Sequence, residues 1–219
     1  NAVAQHAIAL MLELTNRTHA MDAELRKGRW TQRAGDCVWD APLVELYGKT
    51  FGVLGTGAIG CQAANIAKAL GMRIIGSSRN VRPAFCGEYV STEELFSQSD
   101  VLSLHCAATK ETQNIVNRAT LSRMKPTGIL INTARGALVD SGALAEALNN
   151  GVLYAAGLDV VDKEPILPDN PLLSAKNCLI TPHAAWLPRE VRLRLVDIAA
   201  ENLRSFLGGE TRNRVDLEG

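Results

Sequence analysis

Net charge is the first thing this sequence lacks. Its 219 residues carry 23 Lys and Arg against 23 Asp and Glu. That balance excludes a nucleic-acid binder working by bulk charge and a polybasic membrane-surface protein. No nucleic acid and no membrane are expected as partners. Nor is there an uninterrupted apolar run of the roughly eighteen residues that a membrane-spanning helix needs. The chain opens Asn1-Ala2-Val3, without an initiator Met or a basic stretch leading into an apolar one. No signal peptide is expected, and a longer parent protein is. Cysteine is sparse and odd in number: Cys37, Cys61, Cys86, Cys106 and Cys178. No two stand at C-x-x-C or zinc-ligand spacing, so a disulfide framework and a metal site lack support, and reduced thiols in a cytoplasmic protein are expected. Aromatics are few, at 5%, whereas glycines number 18, a balance suited to an α/β fold with many tight strand-to-helix turns. The apolar fraction of 47% is enough for the core of one large domain.

Alternation organises most of the chain. The run from 2 to 20 is apolar on most sides and reads as a buried helix, which needs a second domain or a partner subunit to cover it. Residues 28–48 lack a period and contain Pro42, so they read as a long loop. Strand-like runs follow at 49–54, 72–76, 101–104, 128–132, 154–160 and 178–181. Helical patterns lie between them at 58–70, 120–124 and 141–149, and a last long helix spans 188–207. Ser91-Thr92-Glu93-Glu94 is a capping box opening a further short helix. Strand and helix in this order predict a parallel sheet with helices on both faces, a doubly wound α/β domain.

Gly55-Thr56-Gly57-Ala58-Ile59-Gly60 is G-x-G-x-x-G directly after a predicted strand and opening a predicted helix. Gly55 permits the tight turn, Gly57 lets a pyrophosphate approach the backbone, and Gly60 lets the helix pack close to the strand. The helix N-terminus then offers unpaired N–H groups and a positive dipole end to the phosphates. An acidic residue about twenty positions on would bind the ribose 2′-hydroxyl of NAD. Here the second strand ends Gly76-Ser77-Ser78-Arg79-Asn80, with no acid. A hydroxyl at Ser78 and a guanidinium at Arg79 suit a 2′-phosphate, which predicts NADP in preference to NAD.

Arg135, Glu164 and His183 each follow a predicted strand. Ligands of parallel sheets bind outside the carboxyl ends of the strands, so the three point to one crevice. The set suits hydride transfer at a 2-oxo acid. A histidine gives a proton to the carbonyl oxygen, a glutamate favours and orients the imidazolium, and an arginine clamps the carboxylate. Taken singly, a lone His or Glu-Pro is more often structural. His6 and His19 read as packing or surface residues, and His105, at a strand end bordering the crevice, as structural.

The motifs G-T-G-A-I-G, L-H-C-A-A-T-K-E-T, I-N-T-A-R-G-A-L-V-D, A-A-G-L-D-V, E-P and T-P-H-A-A-W occur in this order. Together they resemble the D-isomer-specific 2-hydroxyacid dehydrogenase family, over essentially the whole chain. Gly28-Arg29-Trp30, Val38-Trp39-Asp40, the following P-L-V-E-L-Y-G-K-T and Trp186 look most like the glycerate dehydrogenase and hydroxypyruvate or glyoxylate reductase branch. The resemblance implies a Rossmann-type fold and a homodimer acting on a small 2-oxo or 2-hydroxy acid. It implies Arg135 as the substrate-binding arginine, His183 as the catalytic histidine and Glu164 as its partner. By motif it also implies cofactor contacts at Ala58, Ile59, Ser78, Cys106, Thr133, Ala134, Asp159, Ala184, Ala185 and Trp186. Two departures stand out: Ala107 replaces a usual proline, and Ser78 stands where many NAD-using members have aspartate.

The resemblance further implies that an N-terminal substrate domain is largely absent from these residues. The 219 residues would then form a dinucleotide-binding domain, with 1–30 as an interdomain or dimerisation helix region, and would turn over weakly or not at all alone. A rival is a dinucleotide-sensing interaction module, as in corepressors related to this family. An unrelated nucleotide or S-adenosylmethionine binder conflicts with the downstream motifs.

Overall fold

The computed structural model describes residues 1–31 and 42–213. Residues 32–41 of the predicted 28–48 loop, Cys37 and Val38-Trp39-Asp40 among them, lie outside the described residues. Seven parallel strands form one sheet: β1 (Thr50–Leu54), β2 (Arg73–Ser77), β3 (Glu88–Tyr89), β4 (Val101–Leu104), β5 (Ile129–Asn132), β6 (Ala155–Leu158) and β7 (Cys178–Ile180). Their spatial order is β3-β2-β1-β4-β5-β6-β7. The order reverses between β1 and β4, and a crevice opens there at the carboxyl ends of the strands. This is the predicted doubly wound architecture.

The central strands are short apolar runs because both faces of the sheet are covered. Alternate residues feed two cores. Phe51, Val53, Val101, Ile129, Ile131 and Ala155 face one. Leu54, Leu102, Leu104, Leu130, Ala156 and Leu158 face the other. The second core is closed by α4 (Thr92–Gln98), α5 (Arg118–Leu121) and α6 (Ser141–Asn149). The predicted capping box opens α4: Glu94 N donates to Ser91 Oγ at 3.2 Å and Ser91 N to Glu94 Oε2 at 3.0 Å.

The first core is closed by α1 (Ala2–Asn16) and α3 (Ala58–Ala69). Two expectations for the N-terminal segment need correcting. The helix expected over 2–20 breaks at Arg17, which has a φ of 52°, and α2 (Thr18–Arg26) follows. Polar side chains disrupt the run there. Thr15 Oγ1 donates back to Met11 O at 3.0 Å and Asn16 Nδ2 to Leu12 O at 3.1 Å, while the Glu13 carboxylate receives Thr18 Oγ1 and His19 N from the next helix. Such side-chain bonds compete with helix continuation. The second correction concerns cover. The apolar face of α1 is buried by its own domain, with Ala4, Ala7, Leu10 and Met11 almost fully enclosed. It needs no further domain or subunit to explain it. Gly157 on β6 permits the contact, since a Cβ there would lie 3.0 Å from Leu10 Cβ. Each buried Leu, Ile or Met on α1 contributes roughly 1.5–3 kcal/mol.

The last helix, α7 (Arg189–Leu207), differs: none of its residues is buried, and Val196, Phe206 and Leu207 are 66%, 76% and 77% exposed. No helix among the described residues is long and apolar enough to cross a membrane.

Candidate active site

The first wall of the crevice is the turn after β1. Gly55 has a φ of +97°, and a Cβ on it would lie 2.6 Å from Cys106 N. A Cβ on Gly60 would collide with Gly55 O. Both glycines are therefore fixed by the fold. At Gly57 the result is the opposite, since a Cβ would meet nothing within 4 Å. This glycine faces open space over the N-terminus of α3, where Ala58 and Ile59 are exposed. Ser78 and Arg79 follow β2 beside this turn, Ser78 half-buried and Arg79 exposed. The Arg79 charge reaches Cys106 and Glu111 across the crevice mouth.

β4 supplies the floor. His105 hydrogen-bonds through Nε2 to Ser103 Oγ at 2.9 Å. Burial pulls its imidazole down to about 4, so the ring is neutral at pH 7. Burial also pushes the Cys106 thiol up, against smaller opposing effects of a backbone hydrogen bond and Arg79.

The second wall is built from the loops after β5, β6 and β7. The buried Asn132 side chain shapes the first loop, accepting from Ala134 N at 3.0 Å and donating to Arg135 O at 2.9 Å. Arg135 is thereby held at the rim, its guanidinium exposed apart from a bond to Ala134 O. Gly136 packs against Val161 O so closely that no Cβ fits. Glu164 Oε1 accepts from Val161 N at 3.2 Å, and Glu164 Oε2 lies 2.6 Å from His183 Nδ1. That pairing leaves Nε2 of His183 as the nitrogen available to the cavity.

His183 adopts a φ of 52°, a left-handed conformation that costs on the order of 1–3 kcal/mol. Asp159 holds it there. The Asp159 carbonyl accepts from His183 N at 2.8 Å. Its carboxylate accepts from Thr181 Oγ1 at 2.5 Å, Ala184 N at 2.8 Å and Ala185 N at 2.9 Å.

These walls enclose a cavity of about 660 Å³. Of the predicted residues, Ile59, Cys106, Thr133, Ala134, Arg135 and Asp159 line it, as do His183, Ala185 and Trp186. Gly55, Gly57, Ala58, Gly60, Ser78, Arg79, Glu164 and Ala184 do not line it themselves and flank it on the turns just described. His105 on the floor and Ala107, the departure from the family's usual proline, line it too. Val3 and Ala108 also line it and went unpredicted. So did His6 on α1, whose Nε2 lies 2.9 Å from Thr181 Oγ1 and 3.3 Å from Asp159 Oδ1. Thr181 is 175 residues away from His6, and no local spacing announces such a contact.

The residues fit a dinucleotide. Thr133 Oγ1 is buried with no hydrogen-bond partner, in the cavity wall, where a bound polar group would satisfy it. Gly57 keeps the approach to the α3 N-terminus clear. Among the described residues no group of three or more His, Cys, Asp or Glu could hold a metal ion. Residues 8–185 match the family model described as "D-isomer specific 2-hydroxyacid dehydrogenase, NAD binding domain".

The chain belongs to this dehydrogenase family. It is 46% identical over 218 residues to a hydroxypyruvate reductase of Blautia hydrogenotrophica, covering 98% of this chain and 68% of that protein. It is 44% identical over 217 residues to a glyoxylate reductase of Aeropyrum pernix, covering 95% and 64%. The crystal structure of the TT0316 protein from Thermus thermophilus superposes with a TM-score of 0.88 at 41% identity, covering 97% of this chain and 67% of that one. The chain thus spans about two thirds of the length of these relatives. As a dehydrogenase domain it is an oxidoreductase fold built for a nicotinamide dinucleotide.

Proposed function

We propose that this protein reduces a small 2-oxo acid, such as glyoxylate or hydroxypyruvate, to the 2-hydroxy acid, with NADPH preferred over NADH. The observation that carries the reading is the 2.6 Å pair between His183 Nδ1 and Glu164 Oε2, on a cavity shared with Arg135. The names of the relatives, hydroxypyruvate reductase and glyoxylate reductase, support the substrate class.

The nicotinamide, when bound, supplies the hydride to the keto carbon. His183 gives the Nε2 proton to the carbonyl oxygen as the negative charge develops, and takes it back in the reverse direction. Glu164 orients the ring and stabilises its protonated form through Nδ1. Arg135 holds the substrate carboxylate by paired N–H donors. Ser78 and Arg79 receive the 2′-phosphate. Arg135, Glu164 and His183 are all exposed, and an open site gives weak turnover because water is not excluded. We expect these residues alone to bind cofactor and turn over poorly. On the resemblance, we expect a cytoplasmic homodimer; a monomer in sedimentation velocity would overturn that assembly.

The test is His183→Ala in the complete protein. Turnover of glyoxylate and hydroxypyruvate is expected to fall by roughly 10²–10⁴-fold, the usual worth of a positioned general acid, with NADPH affinity retained. Unchanged turnover removes His183 from the chemistry. Wild-type protein that binds dinucleotide yet turns over no 2-oxo acid would favour a cofactor-sensing role. Tighter binding of NADH than NADPH in a fluorescence titration would overturn the reading of Ser78 and Arg79.

A further inference from the structure

We propose that His6 is a positioning residue for His183, acting from α1 through the Thr181–Asp159 pair. The inference rests on the reading of His183 as the proton donor. Its physical basis is an accounting of hydrogens. Thr181 Oγ1 has one hydrogen and donates it to Asp159 Oδ1 at 2.5 Å. At the 2.9 Å contact between Thr181 Oγ1 and His6 Nε2, the hydroxyl can then only accept. The hydrogen must come from the ring. Asp159 Oδ1, 3.3 Å from the same nitrogen, is likewise an acceptor. The contacts therefore fix Nε2 as the protonated nitrogen of His6.

The consequence reaches His183 through Asp159. That side chain is 1% exposed, and a buried carboxylate demands donors on both oxygens. It draws them from Thr181, Ala184 and Ala185, residues on either side of His183. The same residue's carbonyl holds His183 N. His6 braces this arrangement from a separate element at the Thr181 end. Without its N–H, the Oδ1–Thr181 pair loses its outside anchor. The left-handed backbone at His183 then has one constraint fewer against relaxing. A misplaced proton donor lowers the chemical step more than it lowers cofactor binding.

Two variants of the complete protein and one spectrum test this. His6→Leu removes the donor, and kcat for glyoxylate is expected to fall by up to roughly tenfold, the upper end of what one neutral hydrogen bond is worth, with NADPH Kd changed less than about threefold. His6→Gln returns an N–H at a similar reach and is expected to restore kcat to within about threefold of wild type. A long-range ¹H–¹⁵N spectrum of the cofactor-free protein is expected to show His6 protonated at Nε2. A ring protonated only at Nδ1, wild-type kcat in His6→Leu, or a His6→Gln variant as slow as His6→Leu would each overturn the proposal. If the wild-type protein reduces no 2-oxo acid, the function reading fails by itself, and the spectrum still decides the His6 bond.

Discussion

On the side of the crevice formed after β1 and β2, the shape is set by backbone meeting backbone. Gly55 lies against the Cys106 main chain and Gly60 against Gly55 O, with no room for a Cβ at either. On the side formed after β5, β6 and β7, the shape is set by side chains reaching loops: Asn132 for the Arg135 turn, Glu164 for Val161, and Asp159 for residues 181–185. On the proposed function, the first side accepts a phosphate chain, for which a steric template made of glycines suffices. On the same proposal, the second holds three chemically distinct groups at fixed separations, which needs directional bonds.

The largest expected effects break or keep the steric wall. Gly55→Ala should destabilise the domain by about 4 kcal/mol or more and abolish cofactor binding, because the backbone is left-handed and the space is filled. Gly57→Ala should leave Tm nearly unchanged yet weaken NADPH binding by at least roughly tenfold, since only a ligand would meet its methyl group. Equal losses of Tm in the two variants would break the distinction between a glycine the fold needs and one the ligand needs.

The floor between the walls titrates. His105 is held at about 4 by burial, against about 6.5 when unfolded. Between those values the unfolded chain binds the extra proton. Stability is therefore full above about pH 6.5 and falls as pH drops towards 4, by on the order of 3 kcal/mol. Urea unfolding at pH 7 and pH 5 reads the loss, and His105→Phe should flatten it. A His105→Phe profile as steep as wild type would assign the loss to other groups.

The smallest expected effect sharpens the comparison on the second wall. Thr133→Val replaces an unpaired buried hydroxyl by a methyl group of similar shape. It should stabilise the cofactor-free domain by up to about 1 kcal/mol while weakening NADPH binding several-fold. Effects of the same sign would mean that Thr133 Oγ1 does not serve the cofactor.

The same contrast explains how much could be read from the sequence. The sheet was legible because strands buried on both faces are unbroken apolar runs, and β1, β4, β5 and α6 lie within one or two residues of where the pattern puts them. The glycine turn was legible because its requirements are local. β3 escaped because two residues carry no period. The break at Arg17 escaped because it depends on how the Thr15 and Asn16 side chains bond back into the helix. His6 was read as packing or surface because its bonds join the first helix to the loop after the last strand. The cover over α1 was misassigned for a related reason: an apolar stripe announces burial but does not say against what.

The ends of the sheet carry a consequence of another kind. β3 has two residues and β7 has three, so a sheet seven strands wide offers little free ladder at either margin. Long bare edges recruit strands from neighbouring molecules, and short ones give them nothing to extend. The domain is thereby guarded against edge-to-edge aggregation by the brevity of its outermost strands.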